Sequence, residues 1–412
     1  MAATESPEAA AAGGAPYLVP GDLPVGAIDG DPSPEYQSKP TVPLAVSEAL
    51  VRLEFDHPEL SISGTAWDAT TGLVSLYAAG NRQAVEKAID AYGLAGAVEY
   101  RRATHGYAEM QAKIDRIIGK NGELASGHKV VMATPSLDGE RIDLVLDDAK
   151  RTKAEPSLPD VGIAVSVEYG PALEPATRNH APNPPSDPAR YSGAYMHGSA
   201  ACTTGFRGTK ISDGTAAMLS ANHCESTIGQ QWYYSTLTTH TIGQYQGTNP
   251  PPTMNGLPDV AIWSGSGTAQ MTAGIFIGNN TVSGSYLYAI RGVMGTTVGA
   301  SVCYSGSRSG TVCGSQVTAV NVTACYTGMS FCYDRLARTL QGGGLPAAGQ
   351  GDSGGPVYGT SGGPYAVGII SGLINGTSNC TGDQGRLCSA DLLYAPITDA
   401  FDLGYGVNYY AN

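Results

Sequence analysis

The sequence predicts a chain of two unlike halves: an α+β segment built by internal duplication, then an all-β half arranged as a sandwich or as barrels. Three observations carry this expectation. Helical and extended patterns alternate up to about residue 170 and run through their order twice. Residues 171–190 hold six prolines. Beyond them, short β-rich runs are punctuated by Gly, Asn and Ser, with no convincing amphipathic helix before Ile397-Thr398-Asp399-Ala400-Phe401. Many short strands at even spacing bury their apolar faces in a closed or two-layered sheet.

Residues 1–42 are mostly Ala, Pro, Gly and Asp with little apolar periodicity, which predicts a disordered segment. Residues 43–170 then read as two similar units. The first runs helix (45–53), strand (60–67), strand (72–78), helix (82–92), strand (96–101). The second runs helix (107–119), strand (129–134), strand (141–146), a helix or loop, and strand (161–169). Val98-Glu99-Tyr100 recurs as Val167-Glu168-Tyr169, and Asp68-x-x-x-Gly72 turns into its strand much as Asp138-Gly139 does. Each unit would bury one face of a small sheet under its helices. The proline-rich stretch 171–190 cannot join a sheet and stays extended, so it is the natural place for a proteolytic cut. Residues 191–412 form the β half.

Length and charge bound the possibilities. The 412 residues suffice for two or three domains with full cores. The net charge is −13, and it is unevenly placed. Residues 1–185 carry 15 Lys+Arg against 26 Asp+Glu, while residues 186–412 carry 8 against 10. Without a basic patch or run, nucleic acid is not an expected partner. No apolar run is long enough to span a membrane. Met1 to Pro16 is Ala-rich but carries Glu5 and Glu8 and has no basic start, unlike a secretory leader. All eight cysteines lie at or beyond Cys202. That clustering suits disulfides formed in an oxidising compartment, hence a secreted, extracellular protein. A metal site would want a Cys-x-x-Cys or a Cys/His set at ligand spacing, and neither occurs, so no metal and no cofactor are expected. Eight cysteines allow many pairings. Their spacing favours neighbours: Cys202 with Cys224, Cys303 with Cys313, Cys325 with Cys332, and Cys380 with Cys388.

One string stands apart from what folding requires. In Gly351-Asp352-Ser353-Gly354-Gly355-Pro356, glycines on both sides allow a tight backbone nest. The Ser353 hydroxyl would project from it while the amides of Gly351 and Ser353 point into one hollow. Such a hollow beside a nucleophile accommodates the oxyanion of a tetrahedral acyl intermediate. A serine hydroxyl attacks only when a base removes its proton. Ser220-Ala221-Asn222-His223-Cys224 offers that base, whereas His197 and His240 lie in segments without comparable framing. Asp259, at the head of the apolar run Val260-Ala261-Ile262-Trp263, would fix the imidazole tautomer and stabilise the imidazolium.

The order His, Asp, Ser is that of the trypsin/chymotrypsin-like arrangement. From about Tyr191 onward the chain resembles secreted bacterial serine proteases of the streptogrisin/α-lytic type, which are made as proenzymes. Besides the triad strings, Cys202-Thr203-Thr204-Gly205-Phe206 resembles the strand that opens the first barrel. Val302-Cys303-Tyr304-Ser305-Gly306 through Thr311-Val312-Cys313-Gly314 resembles a small disulfide loop, and Val367-Gly368-Ile369-Ile370-Ser371-Gly372 resembles the strand lining the substrate cleft. Two departures stand out. Asn222 occupies a place where the family usually has Ala or Gly, and Ala347-Ala348-Gly349-Gln350 lacks a cysteine that many relatives carry before the nucleophile loop. The resemblance implies two six-stranded Greek-key barrels of the chymotrypsin-like kind, with His223 and Asp259 on the first and Ser353 on the second. It also implies the Cys202–Cys224 and Cys303–Cys313 pairs, a supporting role for Ser371 behind Asp259, and a duplicated α+β prodomain that assists folding and inhibits. The missing cysteine leaves Cys380 to pair elsewhere, with Cys388.

In that resemblance the cleft is lined by Ile370, Ser371, Gly372 and Leu373, with the stretch before Gly351 and residues 391–394. A basic substrate side chain would want a buried carboxylate in residues 345–350, and there is none. An acidic one would want a histidine where Ile370 stands. Leu373, where relatives often have glycine, narrows the pocket, so small or apolar residues are expected next to the cleaved bond. Asp383 and Asp391 have no assigned place. The expectation is thus a monomeric secreted endopeptidase made as a zymogen, acting on proteins or peptides and bound by its own prodomain. The alternative is a protease-like fold that only binds protein.

Overall fold

The computed structural model describes residues 17–21, 27–38, 41–119, 122–150, 156–175, 191–234, 240–248, 256–268, 271–280 and 285–411. The expected processing stretch lies mostly outside the described residues. Strands dominate, and helices are few.

Two small helix-on-sheet units come first. In the first, strand Ile62–Trp67 pairs antiparallel with Val74–Ala78, which pairs parallel with Val98–Arg102. The second repeats this order: Val130–Pro135 pairs antiparallel with Arg141–Asp147, which pairs parallel with Ala164–Gly170. The parallel step needs a crossover. In the first unit helix Arg82–Ala91 supplies it, capped by the Asn81 side chain accepting from Ala84 N at 3.2 Å. Val85, Ala88 and Ile89 form its buried stripe. Helix Leu44–Asp56 runs three residues beyond the expected end, and Leu50, Val51 and Leu53 are buried along it. Helix Tyr107–Ile117 buries Met110, Ile114 and Ile117 over Ile142, Leu144 and Leu146, which alternate along their strand.

The second half is built from two large sheets. In one, the strands run in the order Ala201–Thr203, Tyr195–His197, Gln231–Tyr234, Thr241–Gly247, Ala261–Ser264, Ala216–Ser220, Arg207–Lys210 and Tyr405–Tyr410. Its core centres on Trp232 and Trp263, whose rings meet edge to face at 5.6 Å. In the other, six strands pair in a closed ring: Ser301–Gly306, Pro356–Thr360, Pro364–Ile374, Asp391–Pro396, Tyr333–Gln341 and Gly310–Ala324, which returns to the first. Val302, Tyr304, Val317, Val367, Leu392 and Tyr394 fill its interior.

The halves share a sheet. Thr323 and Ala324, at the end of the long strand, pair antiparallel with Ala133 and Met132, so the second α+β unit extends the ring's sheet outward. The first unit joins through Trp67 N to Val298 O at 2.7 Å and Val298 N to Thr65 O at 3.0 Å.

Part of residues 1–42 departs from the disorder expected for it. Leu18–Gly21 forms a strand parallel to Tyr405–Tyr410, and Tyr17 stacks on Phe401 at 4.5 Å. Ser38 N and Oγ bond with Thr360, and Asp31 accepts from Gly362 and Gly363. The short run Tyr17-Leu18-Val19 has too little periodicity to read alone, and an existing sheet edge supplies what it lacks.

Leu144 is 1% exposed in the core of the second unit. Leu144→Ala in the otherwise intact chain should cost about 2–5 kcal/mol, read as a lower urea midpoint at unchanged slope. Near-wild-type stability would show that this cluster is not packed as described.

Candidate active site

Asn222–Cys224 forms a single 3-10 turn directly after strand Ala216–Ser220. That strand pairs with Ala261–Ser264, setting Ser220 opposite Ala261. Residues just past one strand and just before the next therefore meet. His223 N donates to Asp259 Oδ1 at 2.9 Å, and His223 Nδ1 lies 2.6 Å from Asp259 Oδ2. On its other side, His223 Nε2 lies 2.7 Å from Ser353 Oγ. The three side chains singled out from the sequence are brought together in one relay.

The serine is presented by a turn that only glycine permits. Gly351 has φ +101°, and Gly354, at φ +83°, could not carry a Cβ without striking Ser220 Oγ and Thr203 O. Within this loop, Asp352 N, Gly354 N and Gly355 N bond to Gly349 O, Ile370 O and Asp352 O. The amides of Gly351 and Ser353 make no such bond among the described residues, which leaves two donors for an oxyanion. Thr203 ties this loop to the other sheet: its N donates to Ser353 O and its Oγ1 to Gly351 O, each at 2.8 Å. The Cys202–Cys224 disulfide links Thr203's neighbour to the residue after His223. Three further disulfides join Cys303 to Cys313, Cys325 to Cys332 and Cys380 to Cys388.

Behind the triad, Ser371 Oγ donates to Asp259 Oδ2 at 2.5 Å. The Tyr326 hydroxyl lies 2.5 Å from Ser371 Oγ and, with the serine proton committed to the carboxylate, it donates. Asn222, unusual for its place, is buried and bridges two phenols: Tyr245 Oη donates to its Oδ1 at 2.5 Å, and its Nδ2 reaches Tyr333 Oη at 3.4 Å. Tyr326 and Tyr333 pack edge-on against the His223 ring. The sequence reading missed both tyrosines. Their only local signal is proximity to Cys325 and Cys332.

Asp352 is fully buried and points away from the triad. Its Oδ1 accepts from Arg308 N and Ser309 N, and its Oδ2 from Ser309 Oγ, Gly349 N and Arg386 Nη1. Burial opposes its ionisation, yet the Arg386 guanidinium and the Ser309 hydroxyl hold its carboxyl below the usual range.

The two unassigned acids are paired elsewhere. Asp383 binds Arg308 and Asn280, and Asp391 takes a two-pronged contact from Arg338. Ala347 and Ala348 are wholly buried before the nucleophile loop, and Ala348 pairs with Ser389. Among the described residues no cluster of His, Cys, Asp and Glu could hold a metal.

Gly372 and Leu373 have a partner strand of their own. Glu174–Pro175 pairs antiparallel with them, Pro175 opposite Gly372 and Glu174 opposite Leu373. On the opposite side, Leu173 O accepts from Thr327 N and Oγ1, each at 2.9 Å. Ser353 is buried, and the His223 side chain has no exposed surface.

No protein-family model matches the chain, and no curated protein sequence does so. Among solved structures, the chain is similar to a glutamic-acid-specific serine protease described with a histidine triad in substrate binding, at 24% identity and TM-score 0.39 over 53% of this chain and 99% of that one. It is similar to the same degree to Nocardiopsis protease, over 53% of this chain and 98% of that one. Cellulomonas bogoriensis chymotrypsin gives 26% identity and TM-score 0.35, over 53% of this chain and 97% of its own.

Ser371→Ala removes a donor to the buried Asp259 carboxylate. A hydrogen bond to a charged group contributes about 1.5–3 kcal/mol, so kcat for an ester substrate should fall roughly ten- to a hundredfold with KM little changed. A kcat within about twofold of wild type would mean that the two His223 contacts orient Asp259 without it.

Proposed function

We propose that this chain is the proenzyme of a secreted, chymotrypsin-like serine endopeptidase, cleaving peptide bonds through His223, Asp259 and Ser353. The observation that carries the reading is the imidazole held between a carboxylate and a serine hydroxyl, beside two backbone amides that bond to nothing among the described residues. His223 takes the Ser353 proton as the hydroxyl attacks the carbonyl, and Asp259 stabilises the imidazolium that forms. The carbonyl oxygen, now an anion, takes the Gly351 and Ser353 amides. His223 then returns its proton to the leaving amine, and water repeats the cycle on the acyl-enzyme. Four disulfides suit an oxidising, extracellular setting.

Substrates of small or apolar character next to the cut fit the surroundings: Ala347 and Ala348 lie ahead of the loop, Ile370 stands before Ser371, and Asp383 and Asp391 are paired with arginines. The glutamic-acid specificity named for one structural neighbour is not carried over. An acidic side chain would need a cationic or histidine partner where Ile370 sits.

Residues 43–170 act as the prodomain. They extend the sheet of the Ser353-bearing ring, which is the slow, non-local part of the fold to assemble. The segment Leu173–Pro175 then covers the cleft from a substrate-like strand position, and maturation cuts beyond it, before Tyr191.

Two tests bear on this. A fluorophosphonate should label Ser353 in the matured protein, and Ser353→Ala should abolish both labelling and self-cutting, leaving at most the ~10³–10⁴ acceleration over water that persists without a triad. Self-maturation by Ser353→Ala would end the proposal.

The second test is pH. Asp334 accepts from Gln111 Nε2 of the prodomain at 2.9 Å; burial pushes its carboxyl up to about 6, opposed by Leu257 N and Thr323. Burial pushes Asp399 up to about 7, opposed by Arg335 and reinforced by Asp402 and prodomain Glu54. Acids with raised pKa values favour the assembled state when protonated. That contribution is complete below about pH 4 and is lost as pH rises through about 6 and about 7. Gln111 and Glu54 of the prodomain complete the surroundings of these two acids, so inhibition of the matured enzyme by residues 1–180 added in trans should weaken between about pH 5 and about pH 8. Asp334→Asn should flatten the lower part of that curve, whereas a pH-independent inhibition constant would remove these acids from the interface balance.

A further inference from the structure

Residues 27–38 hold two aspartates, two prolines and two serines among few apolar side chains, a composition that buries too little to order itself. They are ordered nonetheless, on partners borrowed from the second half of the chain. Ile28 lies as an added parallel strand on Ser285–Ala289: its N donates to Leu287 O at 2.8 Å, and its O accepts from Ala289 N at 3.0 Å. Asp29 Oδ1 meets Arg291 Nη1 at 2.8 Å. Asp31 Oδ1 accepts from Gly362 N at 3.1 Å and from Gly363 N at 3.0 Å. These glycines have φ +77° and +136°, which turns two successive amides toward one carboxylate as a small anion nest. Farther along, Tyr36 O accepts from the Tyr358 hydroxyl, and Ser38 Oγ from Thr360 N, each at 2.8 Å.

All of these partners fall between Leu287 and Gly363, and none belongs to the triad or to Ile370–Leu373. The N-terminal half therefore grips the second half by surfaces that share no residue. One is this run of added strand, ion pair and nest. The other is Glu174–Pro175 against Gly372 and Leu373. Both grips are engaged at once on one covalent piece, so loosening of either leaves its partner surface at a high effective concentration.

We propose that residues 27–38 are a second docking arm, and that the N-terminal half inhibits its enzyme as a bivalent ligand once the linker is cut. The proposal rests on the reading of residues 43–170 as an inhibitory prodomain. Cutting before Tyr191 removes the covalent tether, and the cleft strand becomes one end of a separate fragment. The arm keeps that fragment on the enzyme, where the cleft strand rebinds faster than the fragment escapes. Latency thus outlasts the cut, and full activation requires the arm to let go as well.

The test compares the full-length chain with a chain lacking residues 1–38, each carried through cutting of its linker. Both are diluted in steps, with hydrolysis of a small-residue peptide ester and gel filtration of the N-terminal fragment read at each step. The shortened chain should come apart and become active at a concentration about 10²–10⁴ higher than the full-length chain, the usual range for a lost second contact. Its kcat once free should equal that of the freed full-length enzyme. Asp29→Asn with Asp31→Asn removes only the carboxylate contacts and should move the midpoint in the same direction by about tenfold, as suits partly exposed charges. An unchanged midpoint in the shortened chain overturns the proposal. If that chain fails to fold, an unchanged midpoint in the doubly substituted chain overturns it instead. A lowered kcat in the freed, shortened enzyme would place the arm's role in folding and likewise overturn docking. Should the cut full-length chain be fully active at every concentration, it is the inhibitory reading of residues 43–170 that fails, a result distinct from these.

Discussion

The arrangement turns on a carboxylate that has been taken out of water. Asp259 is buried at the seam between two sheets, and an ionised acid in such a place survives only if its lone pairs are occupied. Three donors do so: the His223 amide and ring, and the Ser371 hydroxyl. Two come from the first sheet and one from the closed ring. Satisfying one charge therefore fixes how the halves of the site sit against each other, and the His223-to-Ser353 distance follows from it. The tyrosines around this seam exclude water and leave the relay little freedom to wander. Asp352 repeats the device a few residues away, with a full set of donors and one cation.

Much of this was legible in the residues alone. A serine in a glycine-framed turn, a histidine beside a cysteine, and an acid heading an apolar run each carry a local signature. The helices Arg82–Ala91 and Tyr107–Ile117 were readable because their apolar spacing is regular. What escaped was held by distance. Arg386 lies 34 residues from Asp352 and looks in sequence like any loop arginine. Tyr326 reaches Ser371 across 45 residues, and its role depends on a hydroxyl proton passed along a chain of oxygens. The strand Leu18–Gly21 was invisible for a different reason: four residues have no periodicity, and only the neighbouring edge makes them a strand.

The expected substrate cleft is intermediate. That Ile370 to Leu373 would line it was read from one motif, yet motif reading could not show that Glu174 and Pro175 would lie against them. A proline there is consistent with the pairing, because a strand that bonds through alternate residues can carry one lacking an amide hydrogen.

The short parallel strand Leu18–Gly21 covers an edge that the proposed maturation would uncover. Tyr405–Tyr410 is flanked on one side by Arg207–Lys210 and on the other by Leu18–Gly21. Were maturation to remove the latter, a row of backbone donors and acceptors would lie bare along Tyr405–Tyr410, next to a Phe401 without its stacked ring. Unguarded edges invite a second molecule to add a strand. A form cut as proposed would thus carry a sticky margin, and its solubility at high concentration would depend on how well Tyr409 and Tyr410 shield that margin.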